Sequence, residues 1–126
     1  MNMLLILTTL LLTSCATSEP ADDLDGDFYK AIISGNIDFV RHTVNKGADI
    51  RIDNDIALCL SAEWGNLEIV KYLVESGADI YSRKLCSIRL SAENGHSDIF
   101  YYLIDKAGLS SLKQGFENKR EGEYNE

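Results

Sequence analysis

An all-α solenoid of three helix-turn-helix units is predicted by three features of the sequence. Gly35, Gly65 and Gly95 recur at a spacing of 30 residues, and the segments around them align without a gap. A period of this size is typical of stacked supersecondary units. Each unit contains two stretches in which apolar residues recur at helical spacing. The only proline, Pro20, precedes the units, so no proline interrupts a helix within them.

The three units span residues 23–52, 53–82 and 83–112, and each divides at Gly-Asn or Gly-His. In the middle unit a first helix is predicted over Asp55 to Trp64, with Leu58 and Ala62 four residues apart on one face. The apolar face of the second helix is formed by Ile69, Val70, Leu73 and Val74. Because neither helix can bury its apolar face alone, neighbouring units are expected to stack and share one core.

The segment before the units, residues 1–22, is an apolar leader followed by a polar tether. Its apolar run from Met3 to Leu12 matches the core of a signal peptide and is shorter than the roughly 20 residues that span a bilayer. The run ends in Leu12-Thr13-Ser14-Cys15, which resembles a bacterial lipobox with Cys15 as the lipidated residue. No Lys or Arg precedes it, so an intracellular protein with an apolar leader stays open beside an exported, membrane-anchored one.

Composition limits the classes of partner. The 126 residues suit one small domain, expected to be a monomer, and the net charge of −8 would repel phosphates, which disfavours a nucleic acid partner. Contact with a membrane is expected only if Cys15 is lipidated. The polar tail, residues 113–126, is predicted to be disordered.

The sequence predicts no metal, no cofactor and no catalysis. His42 and His96 stand far apart with no cysteine at ligand spacing, and the acidic run Asp23 to Asp27 fails the register of a calcium loop. No nucleophile elbow or glycine-rich phosphate loop occurs. Cys59 and Cys86 are interpreted as small, partly buried residues, in preference to a redox pair.

The stretch SAEWGNLEIVKYLVESGADI, Ser61 to Ile80, resembles an ankyrin repeat. The resemblance rests on Ser61-Ala62, Gly65-Asn66, Glu68-Ile69-Val70, Leu73-Val74 and Gly77-Ala78-Asp79, and parts of it recur in the flanking units. The usual repeat has about 33 residues and a Thr-Pro-Leu-His start, whereas this chain lacks that start and three of those residues. The resemblance therefore implies an ankyrin solenoid with shortened hairpin fingers. This short form is similar to the ankyrin arrays encoded by giant DNA viruses, which would imply a location in the host cell.

The resemblance implies a protein-binding scaffold for a partner that the sequence does not identify. Binding is expected at positions that the repeat leaves free to vary, with Trp64 foremost because its equivalents are Ser34 and Asn94. Packing of Trp64 against a neighbouring unit is the competing interpretation. Two alternatives stay open, a lipid-tethered exported protein with a structural role and a decayed fragment of a longer array. The candidate contact residues are Arg51, Asp53, Asn54, Asp55, Cys59, Glu63, Trp64, Tyr81, Arg83, Lys84, Arg89, Glu93 and Asn94.

Overall fold

The computed structural model describes the backbone of residues 23–124 and the side chains of residues 23–118. The predicted leader, with Cys15, lies outside the described residues. Within them the chain forms seven helices, α1 (Leu24–Ser34), α2 (Ile37–Asn45), α3 (Ile52–Trp64), α4 (Leu67–Glu75), α5 (Ser82–Glu93), α6 (Ser97–Lys106) and α7 (Ser111–Tyr124). None of the described helices is both long and apolar enough to cross a bilayer.

The helices pair into three hairpins that stack in chain order. The first helices α1, α3 and α5 contact one another in sequence, and the second helices α2, α4 and α6 do the same. The core is built from equivalent positions of successive units, as in the buried series Phe28, Leu58 and Ile88. The predicted all-α solenoid of three helix-turn-helix units is confirmed.

The turn inside each unit also joins that unit to its neighbour. Gly65 ends α3 in the left-handed conformation (φ 81°), which glycine adopts without steric cost. A Cβ added there would lie 2.6 Å from Cε1 of His96. The Nε2 atom of His96 lies 2.9 Å from the carbonyl oxygen of Glu63, in the preceding unit. The histidine is therefore part of an interface between units, and a side chain at position 65 would have to displace its ring.

A left-handed turn of three residues stands where a full-length repeat would carry its hairpin finger. Asp53, Asn54 and Asp55 have φ of 51°, 56° and 60°, and the equivalent residues Arg83 to Leu85 have φ of 52° to 59°. Right-handed helix begins only after each turn, so the predicted start of the first helix at Asp55 falls inside the turn. Asp and Asn tolerate this conformation better than Arg, Lys and Leu do, so the second turn is the more strained.

The tail differs from the disorder predicted for residues 113–126. Helix α7 runs to Tyr124, and the ring of Phe116 stacks on that of Phe100 with centroids 4.3 Å apart. Tyr101 contacts the same ring edge-on. Helix α7 is polar in composition, and Phe116 is an aromatic residue through which it packs against the second helix of the last unit.

A ladder of cations and tyrosines follows the second helices. Arg41 lies 5.7 Å from the ring centroid of Tyr72 in the next unit, and Lys71 stands at the same distance from Tyr102. Each cation therefore links its own unit to the ring of the following one. His42, the equivalent of the two tyrosines in the first unit, is exposed.

Candidate partner-binding surface

Eleven of the thirteen candidate contact residues are exposed, as a binding role requires. They are Arg51, Asp53, Asn54, Glu63, Trp64, Tyr81, Arg83, Lys84, Arg89, Glu93 and Asn94. The remaining two, Asp55 and Cys59, are buried and form contacts inside the array. The sequence did not identify the role of these two residues, because each differs from its equivalents in the other units in order to form contacts inside the array.

Asp55 is a structural carboxylate that is only 1% exposed. Its Oδ1 accepts a hydrogen bond of 3.0 Å from the backbone N–H of Asp79, and its Oδ2 accepts one of 2.8 Å from the hydroxyl of Ser82. The guanidinium of Arg51 lies 3.4 Å from the same carboxylate. A buried carboxylate with partners on all sides ties the start of the first helix to the loop that leads into the next unit.

Cys59 lies against Cys86 of the next unit. The two Cα atoms are 5.6 Å apart, the two sulfur atoms are at bonding distance, and both residues are buried. The preference for small, partly buried residues over a cysteine pair is therefore wrong as regards the pairing, although both residues are buried. Their separation of 27 residues is three residues less than the repeat period. Three residues make about one helical turn, so Cys59 on α3 lies opposite a residue one turn closer to the start of α5.

The exposed residues around the two left-handed turns form a loop patch, defined as Arg51, Asp53, Asn54, Tyr81, Arg83 and Lys84. Several of them are already engaged within the protein. Arg83 donates to the backbone carbonyl of Asp53, and the Tyr81 hydroxyl donates to the carbonyl of Ala107. The charges in the patch are mixed, so it presents no single sign to a partner.

Tyr29 borders the loop patch from the first unit. Its hydroxyl donates a 2.7 Å hydrogen bond to Oδ2 of Asp53. Burial of the phenol and this bond to a carboxylate raise the pKa of Tyr29 to about 12, because both favour the neutral form. The contact joins the first unit to the turn of the second.

A second group of exposed residues, the helix-end patch, is defined as Ile33, Glu63, Trp64, Glu93 and Asn94. These residues lie at the carboxyl-terminal ends of the first helices. Trp64 is 59% exposed and Ile33 is 55% exposed. Sequence reasoning missed Ile33, because its apolar side chain was compatible with a core position. The carboxylate of Glu93 lies 3.6 Å from the guanidinium of Arg89 and forms an ion pair with it. Glu63, which precedes Trp64 in the sequence, is the other carboxylate of this patch.

The two patches lie at opposite ends of the first helices. The right-handed part of α3 runs from Ile56 to Trp64, and at about 1.5 Å per residue it separates the patches by roughly 14 Å. The structure therefore brings ten of the eleven exposed candidates together as two groups, and Arg89 lies on α5 outside both definitions. The helix-end patch joins exposed apolar surface to acidic side chains, whereas the side chains of the loop patch mostly bond to their own array.

Comparison with protein families identifies the chain. The family model for ankyrin repeats matches it in three copies, over residues 7–84 and 28–115. The chain belongs to the ankyrin-repeat family. Ankyrin repeats generally bind protein partners and are typically without catalytic activity. A search of curated proteins found no match. Among the side chains that the structure describes, no group of three His, Cys, Asp or Glu residues is placed to hold a metal ion.

Proposed function

We propose that this ankyrin array is a non-catalytic scaffold that binds a protein partner through the helix-end patch. The observation that carries the proposal is the exposure of Trp64 at a repeat position that does not require an aromatic residue. An exposed tryptophan presents a large apolar surface to water, and a partner that covers this surface gains binding energy. Tryptophan is enriched among the residues that dominate binding energy at interfaces. Its exposure supports the interface role over packing against a neighbouring unit.

Ile33 adds a second exposed apolar side chain at the same end of the first helices as Trp64. The two residues occupy the last turns of α1 and α3, and these helices pack against each other as neighbours. An apolar surface formed by adjacent units suits a partner segment that lies across both helices. Glu63 adds a negative charge at the edge, so the proposal specifies a partner with an apolar anchor next to basic residues.

The loop patch is the weaker candidate because its side chains are largely committed to the array. Arg83, Tyr81 and Asp53 each bond across units. A partner that recruited them would have to break contacts that join the repeats. Lys84 and Asn54 form no side-chain hydrogen bond or ion pair with any other described residue, but they are polar and provide no apolar anchor.

The test is capture of partners by the immobilised full chain in parallel with two variants. Trp64→Ala removes the exposed aromatic residue of the helix-end patch, and Tyr81→Ala removes that of the loop patch. We expect proteins retained by the wild type and by Tyr81→Ala to be lost with Trp64→Ala. Retention of the same proteins by Trp64→Ala, or their loss only with Tyr81→Ala, would contradict the proposal.

A stability measurement must accompany the capture. Because the Trp64 side chain is exposed, Trp64→Ala is expected to change the free energy of unfolding by no more than about 0.5 kcal/mol. Leu58→Ala, which empties a buried core position in the same helix, should cost about 2–5 kcal/mol. A loss with Trp64→Ala as large as that with Leu58→Ala would place the tryptophan in the core.

A further inference from the structure

Cys59 and Cys86 meet at the interface between the second and third units without any rearrangement of the backbone. Their Cα atoms are 5.6 Å apart, inside the range of about 4.4–6.8 Å that disulfides span. The residues are 3% and 6% exposed, so the pair is shielded from solvent on both sides. Cys59 lies on α3, and Cys86 is the first residue of α5 after its left-handed turn.

This pairing is particular to one interface. The equivalent positions between the first and second units are Tyr29 and Ile56, which cannot form a covalent bond. The first interface has instead the hydrogen bond from Tyr29 to Asp53. The left-handed turn that precedes Cys86 contains Arg, Lys and Leu and is the more strained of the two, so the cysteine pair lies where the fold is under greater conformational cost.

We propose that Cys59 and Cys86 form a disulfide in the folded protein, and that this bond makes the docking of the third unit depend on redox state. The bond would tie α3 to α5 and restrict the unfolded chain over a separation of 27 residues. Reduction leaves the third unit held by non-covalent contacts alone. Helices α3 and α5 are then no longer covalently joined to each other.

The bond forms by thiol–disulfide exchange with a small-molecule or protein disulfide. One cysteine thiolate attacks a sulfur of that oxidant, which gives a mixed disulfide and releases the first thiolate of the oxidant. The other cysteine thiolate attacks the mixed disulfide, closes the Cys59–Cys86 bond and releases the second thiolate. The pair loses two electrons to the oxidant, and the two protons of the cysteines go to the released thiolates. Since both thiols are buried, exchange takes place while the third unit is undocked.

The test uses the full chain with Cys15→Ser, so that the pair provides the only thiols. The chain is equilibrated with oxidised and reduced glutathione, then denatured and alkylated, and its intact mass is measured. We expect no alkylation of the oxidised chain, two alkylations after reduction, and a linked peptide pair that contains Cys59 and Cys86. Two free thiols in the folded chain after exposure to excess oxidised glutathione would overturn the proposal.

Thermal unfolding measures the effect on the array. Reduction is expected to lower Tm by about 10–20 °C, as a constraint over a loop of this length and a domain of this size imply. Hydrogen exchange should accelerate in α5 and α6 more than in α1 and α2.

The control is the double variant Cys59→Ala, Cys86→Ala, whose Tm should not change when reductant is added. If this variant does not fold, the Tm values of the chain with both cysteines, measured with and without reductant, are compared instead. Equal Tm values for the oxidised and reduced chains would refute a role in docking. Because no partner is used, failure here leaves the proposed function untouched.

Discussion

Arg83 donates two hydrogen bonds from its guanidinium, of 3.0 and 2.8 Å, to the backbone carbonyl of Asp53. The two residues occupy the same position in successive units, 30 residues apart. Each opens a left-handed turn, so the side chain of one turn caps the backbone of the preceding turn. The short loops of this array are thereby joined to one another.

Lys84→Gly is predicted to stabilise the protein. Lys84 is exposed at φ 55°, a conformation that costs an L-residue about 1–2 kcal/mol. Glycine avoids that cost, but part of the gain is offset by its greater entropy in the unfolded chain. We expect the free energy of unfolding in urea to rise by about 0.5–1 kcal/mol. Arg89→Gly, in the right-handed part of the same helix, is the control and should lower it by about 1 kcal/mol. Equal losses in both variants would contradict the left-handed turn.

Asp55→Ala is predicted to be strongly destabilising. The substitution leaves the N–H of Asp79 and the hydroxyl of Ser82 without their acceptor, and it removes the closer of the two carboxylates that pair with Arg51. We expect a loss of about 2–3 kcal/mol, measured by urea denaturation followed by circular dichroism. Asp25→Ala is the matched control because Asp25 is the exposed equivalent in the first unit, and its effect should stay within about 0.5 kcal/mol. Similar losses in both would show that Asp55 does not form this network.

Tyr29 is predicted to make the protein sensitive to alkaline pH. Its pKa is raised from 10.0 to about 12, so the folded state keeps a proton that the unfolded state releases. The stabilisation is complete below pH 10 and is lost as pH rises through about 12. Burial also raises the pKa of Tyr102, so a spectroscopic titration of tyrosinate should show a late step whose amplitude falls by one tyrosine in Tyr29→Phe. Asp53→Asn, which keeps the side chain's size but removes its charge, should move the Tyr29 part of that step to lower pH. A late step of unchanged amplitude in Tyr29→Phe would assign it to other tyrosines.

Phe116→Ala is predicted to release α7 from the array. The substitution removes the stack on Phe100, and we expect a loss of about 1–2 kcal/mol. Amides of α7 should then exchange with solvent much faster, while those of α3 and α4 stay protected. Leu112→Ala, at a position 42% exposed in the same helix, should leave exchange nearly unchanged. Protection of α7 in the Phe116 variant would show that other contacts hold the helix.

The sequence was sufficient to predict the repeated part of the fold. Gly65 and its equivalents end the first helix of each unit, and Phe28, Leu58 and Ile88 fill the same core position of successive units. Residues with the same role in each unit recur at a fixed period in the sequence, so they could be recognised. The left-handed turns were not predictable, because Arg83 and its neighbours are poor formers of that conformation and are held there by contacts between units. Asp55 and Cys59 were misassigned for a related reason, since their partners lie in sequence at a distance other than the period.

The contacts between units have a consequence for the length of the array. Phe28, Leu58 and Ile88 lie at one position of successive units, 30 residues apart, and the cation–tyrosine pairs Arg41–Tyr72 and Lys71–Tyr102 share an offset of 31 residues. Another copy of residues 53–82 placed after the middle unit would bring Lys71 to a second Tyr72 and Gly65 to a second Asn66. These two contacts would find complementary side chains at the new junction, whereas the Cys59–Cys86 and Arg83–Asp53 contacts would form only at the junction with the last unit. The architecture is thus open to growth by duplication of its middle unit, with each added unit contributing its own folding free energy and one more interface.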